Sequence, residues 1–157
     1  MDLRGPHSAG LAKPIVNPHV SDGYTPPRGA AQEPVKAREE LGVTNANPIL
    51  VVEDEFLIAL DIVAALENAG LSVVGPASTV SDALAAIENG PLRGALLDAH
   101  LGGESASRIA DALASRGLPF AFVSGYGRES LPPTHSAAPL VRKPFTDQEL
   151  LAAVAGF

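Results

Sequence analysis

From residue 49 onward the chain is organised by short apolar runs, each closed by a polar residue. Ile49-Leu50-Val51-Val52 runs into Glu53-Asp54-Glu55, and Ala95-Leu96-Leu97 runs into Asp98. Phe120-Ala121-Phe122-Val123 runs into Ser124, and Leu140-Val141-Arg142 leads into Lys143-Pro144. Runs this short, bounded by Gly, Pro or charge, read as buried parallel strands. Ligands of open parallel α/β sheets bind beyond the carboxyl ends of the strands. Acids, a hydroxyl and a lysine at such ends would therefore converge in one crevice.

The first 45 residues follow a different rule. They hold Pro6, Pro14, Pro18, Pro26, Pro27 and Pro34, with Tyr24 as the one aromatic residue, and show no hydrophobic periodicity. Without a core to offset the entropy of ordering, 1–45 reads as a disordered arm. A partner-binding tether and a mis-assigned start are the other readings. Residues 46–157 suffice for one domain with a single core. The arm has five acids and five bases, so the whole net charge of −7 falls on 46–157. An acidic domain without a basic patch argues against binding a nucleic-acid backbone. It favours divalent metal or basic partner surfaces. The absence of Cys excludes disulfides and thiolate chemistry. No run approaches the ~18 apolar residues of a membrane helix, and the N-terminus has no signal-peptide apolar region. The expectation is a soluble cytoplasmic protein without a membrane partner.

Between the strands the pattern turns helical. Apolar residues at 56, 59, 60, 63 and 66 make a stripe that Gly70 stops. Val73-Val74-Gly75 reads as strand two. Ser81 is the expected cap of a helix holding Leu84 and Ile87, ended by Gly90. A third helix is expected from about Glu104 to Arg116, with Ile109 and Leu113 inward and Gly117 closing it. Thr146-Asp147-Gln148-Glu149 is a capping box for the last helix. The stretch from Gly125 to Pro139 contains Gly125, Gly127 and Pro132-Pro133, with Leu131 as its one large aliphatic residue. At most a turn or two is expected there, with mobility.

Two acids at one strand end and a third at another suit Mg²⁺, which takes carboxylates, waters and phosphate oxygens. A carboxylate beside such an ion can attack phosphorus and form an aspartyl phosphate. The transfer needs in-line positioning and neutralised charge on the equatorial oxygens, which Mg²⁺, a lysine and a hydroxyl supply.

In that order, Ile-Leu-Val-Val-Glu-Asp-Glu, Leu-Leu-Asp, Phe-Val-Ser-Gly-Tyr and Arg-Lys-Pro-Phe resemble the receiver domain of bacterial two-component response regulators. The 44-residue interval from Asp54 to Asp98 suits the family, and the resemblance covers 48–157. It implies a flavodoxin-like, doubly wound α/β fold. Five parallel strands would lie in the order 2-1-3-4-5, with the fourth helix short or disordered. It implies that Asp98 is the phosphoacceptor and that Glu53, Asp54, Asp98 and the His100 backbone carbonyl hold Mg²⁺. Ser124 and Lys143 would bind the phosphoryl group, and the Lys143-Pro144 bond would be cis. Pro119 to Gly127 is also similar to the signature of the FAT GUY receivers, single-domain regulators of alphaproteobacteria. There, Val123-Ser124 stands in place of the usual Ala-Thr, and Ser keeps the hydroxyl. The implied partner is a sensor histidine kinase, often of the HWE class, with a role in stress signalling or as a phosphate sink.

Leu140 departs from the family, since many receivers place a switching Tyr or Phe there. Gly125, Tyr126 and Gly127, with the loop after them, are the candidate output instead. The chain stops one helix beyond Phe145, so a stand-alone receiver that switches a downstream protein partner is the expectation. Two alternatives stand beside it: a HAD-like phosphohydrolase, and a receiver-like binding module that is never phosphorylated. A HAD-like enzyme usually needs a second acid two residues after its nucleophile, where this chain has His100. The remaining candidates have plainer readings. The His100 side chain is an exposed loop group, and His135 has no motif around it. Glu55 is a first-turn helix acid, and Gly102-Gly103 forms a turn.

Overall fold

The computed structural model describes residues 46–157; the arm expected over 1–45 lies outside them. The most buried apolar runs form the two central strands, β1 (Ile49–Val52) and β3 (Gly94–Asp98). Flanking them are β2 (Val73–Ala77), β6 (Phe120–Ser124) and β7 (Leu140–Arg142). The sheet runs β2-β1-β3-β6-β7 with every pairing parallel. Counting the strands of this sheet alone, that is the expected order 2-1-3-4-5.

Side chains alternate across the sheet and divide the core in two. Leu50, Val52, Ala95, Leu97 and Phe122 face α2 (Val80–Asn89) and α3 (Ser107–Ser115). Ile49, Val51, Leu96, Ala121 and Val123 face α1 (Phe56–Asn68) and α4 (Asp147–Val154). Both faces being covered, β1 and the part of β3 before Asp98 can be apolar throughout.

Three elements differ from expectation. In α1 the buried residues are Ala59, Ile62, Ala65 and Leu66, while Phe56 and Leu60 are exposed. The helix is apolar on nearly every side, so periodicity alone could not fix its phase. The cap of α2 is Thr79, not Ser81: the Thr79 hydroxyl accepts the Asp82 amide at 3.1 Å. Glu104 and Ser105 belong to no helix. They form β5 (Glu104–Ser105), antiparallel to β4 (His100–Leu101). Gly102 and Gly103, at φ +54° and +89°, make the turn between them, as a two-residue hairpin with both φ positive demands.

The capping box of α4 is formed in both directions between Thr146 and Glu149. Between β6 and β7 the chain makes two single 3₁₀ turns, Arg128–Ser130 and Pro133–His135. No fourth helix forms there; Leu131 is buried in the core and Ala138 packs against it. On the outer strand β2 the register against β1 slips by one residue at Gly75-Pro76, a cis peptide. Gly75 has φ +101°, and a Cβ there would lie 2.6 Å from the Val51 carbonyl oxygen. Glycine is required by both the backbone conformation and the approach.

The choice of cap is open to measurement. Thr79→Ala should lower stability by about 1 kcal/mol in urea unfolding. Ser81→Ala, at the second position of the helix, should stay within about 0.5 kcal/mol of wild type. Equal losses would mean that Thr79 is not the cap.

Candidate functional site

The parallel sheet delivers Glu53, Asp98 and Ser124 to the same edge because β1, β3 and β6 are adjacent and in register. The pairs Val52↔Leu97 and Asp98↔Val123 fix that alignment. Beside β6, the Lys143 amide donates to the Ser124 carbonyl at 2.9 Å. The Lys143-Pro144 peptide is cis. An open cleft of about 530 Å³ results, lined by Asp54, Asp98, His100, Ser124, Gly125, Tyr126 and Lys143 among others. Glu53 lies beneath it, 2% exposed. Gly127 lies outside, its amide turned to Glu129 at 3.1 Å.

Each carboxylate has its own holder. Asp98 accepts the His100 amide on Oδ1 at 3.0 Å and the Lys143 ammonium on Oδ2 at 3.1 Å. Glu53 accepts the Glu55 amide on Oε1 at 3.0 Å. Its Oε2 lies 2.7 Å from Lys143 Nζ, in an ion contact that lacks the direction of a hydrogen bond, and is otherwise buried without a partner. Asp54 is exposed and accepts the Gly102 amide on Oδ2 at 2.9 Å. Ser124 Oγ accepts the Tyr126 amide at 3.1 Å. That bond uses a lone pair and leaves the hydroxyl proton free to be donated.

One ligand oxygen from each of Glu53, Asp54 and Asp98 can be chosen so that all lie within 4.8 Å of one another. Three hard oxygen donors, two of them on buried side chains, fit a divalent cation of the Mg²⁺ type. Burial is the main cause that pushes the Glu53 carboxyl up to about 7, and the charge of Asp98 adds to it. Lys143 and the Glu55 amide oppose the shift. For Lys143, burial works downward, but the close contact with Glu53 and the charges of Asp98 and Glu53 prevail, so the pKa of its ammonium is raised.

Three residues, Gly102, His135 and Arg128, make contacts beyond those expected from the sequence. Gly102 is more than a turn residue, since its amide holds Asp54. His135, read as a loop residue without a motif, is half-buried and bonds Asp111 on α3 at 2.6 Å. Its ring stands edge-on to Phe120, with centroids 5.4 Å apart. Arg128 braces the same segment by donating to the carbonyls of Ser136 and Ala138 at 3.0 and 2.9 Å. The Gly-Gly pair was a readable hairpin signal. Nothing in the spacing of Asp111, Arg128 and His135 announces their contacts.

The Glu53 shift has a definite sign in stability. With a folded value of about 7 against an ordinary 4.5, the folded chain keeps a proton that the unfolded chain has released across that window. In divalent-free buffer, the stability of wild type relative to Glu53→Gln should therefore fall as pH rises from 4.5 to about 7. Urea unfolding at several pH values checks this. A flat difference would mean that Glu53 titrates normally.

No model of a known protein family matches the chain. Among solved structures, SdrG from Sphingomonas melonis Fr1 is 39% identical, with a TM-score of 0.62. The match covers 70% of this chain and 97% of that one. The BeF3-activated conformation of SdrG from Pseudomonas melonis Fr1 matches at 40% identity and TM-score 0.61, over 71% and 96% of the two chains. The response regulator REC domain of Erythrobacter litoralis PhyR is 26% identical, with a TM-score of 0.62, over 71% and 88%. The phyllosphere-induced regulator PhyR of Methylorubrum extorquens is 31% identical over 123 residues, which is 76% of this chain. The chain spans 46% of that curated relative, less than half its length. A likeness to SdrG that runs nearly the full length of that protein, on a sheet of this strand order, gives the chain its place: it belongs to the receiver domains of response regulators.

Proposed function

We propose that Asp98 accepts a phosphoryl group from a sensor histidine kinase and that the surface around Tyr126 changes in response. The observation that carries this reading is Asp98 itself. It stands at the end of the buried strand β3, 8% exposed, with Lys143 on one oxygen and two further carboxylates within metal-sharing reach. In the transfer, an Asp98 oxygen forms the P–O bond as the P–N bond to the kinase histidine breaks. The imidazole nitrogen keeps the electron pair and takes up a proton from solvent. Glu53, Asp54, Asp98 and the His100 carbonyl are the residues to hold Mg²⁺, whose charge would offset that of the equatorial oxygens. Lys143 pairs with the phosphoryl oxygens, and Ser124 donates its free hydroxyl proton to them.

The narrower reading is a single-domain regulator of the FAT GUY type, served by a kinase of the HWE or a related class. It draws support from Pro119-Phe120-Ala121-Phe122-Val123-Ser124-Gly125-Tyr126-Gly127 and from the match to nearly all of SdrG. The output is either a change in binding to a protein partner or removal of phosphate from the relay. With Leu140 on β7, no aromatic ring stands there to swing toward Ser124. Tyr126, whose amide is held by Ser124 Oγ, and the segment behind it carry the response instead. SdrG has a BeF3-activated conformation, and the same mimic of a phosphoryl group is expected to bind here at Asp98.

Incubation with acetyl phosphate and Mg²⁺, or with a phosphorylated kinase, should label the wild-type chain. Asp98→Asn should take no label, and Lys143→Met should label roughly a hundredfold more slowly. Labelling of Asp98→Asn at the wild-type level would sink the assignment.

A further inference from the structure

Two of the cleft's carboxylates share a feature: each holds a backbone amide of the same hairpin. Asp98 Oδ1 takes the amide of His100, where β4 begins, and Asp54 Oδ2 takes that of Gly102, at the tip. The hairpin is anchored from below as well. Leu101 is buried in the core, and the Ala106 amide closes onto the Ala99 carbonyl at 3.1 Å. Its tip is therefore a fixed point to which the exposed Asp54 side chain is tied across 48 residues of sequence.

We propose that the turn at Gly102-Gly103 is a positioning element for Asp54, fixing its carboxylate for a divalent cation, and that cation binding in turn stiffens the hairpin. This role rests on Glu53, Asp54 and Asp98 forming the proposed cation site. An exposed Asp rotates freely, and binding an ion must first remove that freedom. The Gly102 amide removes it beforehand. A carboxylate has lone pairs enough to accept one amide and still face an ion. The turn whose glycines stand at φ +54° and +89° places this amide against Asp54, a use beyond reversing the chain. Reciprocity follows from linkage: whatever the amide contributes to cation affinity, the cation returns to the hairpin.

Replacing Gly102 by glycolic acid exchanges its N–H for an ester oxygen with little change of shape. In the full chain, calorimetric titration with Mg²⁺ should show about fivefold weaker binding for this variant. The same exchange at Gly103 should leave the affinity within about twofold, since no side chain takes that amide. Saturating Mg²⁺ should also slow hydrogen exchange of the wild-type Gly102 amide about fivefold. Wild-type affinity in the Gly102 ester, or an unchanged exchange rate, overturns the role of the hairpin while leaving the cation site standing. Failure of the wild-type chain to bind Mg²⁺ overturns both.

Discussion

Two carboxylates, Glu53 and Asp98, are held almost out of water at adjacent strand ends, and the Lys143 ammonium lies between them at 2.7 and 3.1 Å. Much of the architecture follows from making this arrangement tolerable. An unpaired buried charge is costly, and one cation offsets two anions only in part. The cost shows in Glu53, whose carboxyl is driven toward neutrality by burial, with the charge of Asp98 adding to it. It shows again in the amides of Glu55 and His100, which turn inward to the acids. The three segments that supply these groups leave β1, β3 and β7, so the site also clips the ends of the sheet together. Such a place is short of positive charge, which a divalent ion would supply.

The sheet and most of the site were legible in the sequence because buried parallel strands announce themselves as unbroken apolar runs, and the residue following each run is fixed in place by the strand. Ile49–Val52 and Phe120–Ser124 were read to the residue for that reason. The phase of α1 was not, because Phe56, Leu57, Ile58 and Leu60 give the burial pattern no polar side to measure against. Ser81 and Thr79 are chemically equal as caps, and only the helix start distinguishes them. The Gly102-Gly103 turn was readable, but Glu104 and Ser105 also suit the start of a helix, which hid the second strand of the hairpin. Contacts such as His135 with Asp111 depend on a fold already made and leave no local pattern.

The segment after Ser124 combines absence of helix with a good deal of bracing. Arg128 satisfies two carbonyls, Leu131 is a buried apolar anchor, and His135 reaches α3. The rings of Phe122, Phe120 and His135 form successive edge-on contacts that run from the core to this segment. Its position is thus set by a few polar contacts and a line of rings rather than by a continuous hydrogen-bond ladder. Discrete contacts of this kind can be exchanged one at a time, which suits a segment lying directly behind Ser124.

An open five-stranded sheet leaves two outer strands whose unpaired backbone groups could recruit a strand from another chain. Here β7 has three residues, and β2 is broken by the slip at Gly75-Pro76. Proline has no N–H to offer, and the distorted strand cannot lie flat against a newcomer. The glycine that avoids a clash with Val51 thus helps to spoil that edge as a template. The parallel sheet that gathers the acids, the hydroxyl and the lysine carries its own protection against edge-to-edge aggregation.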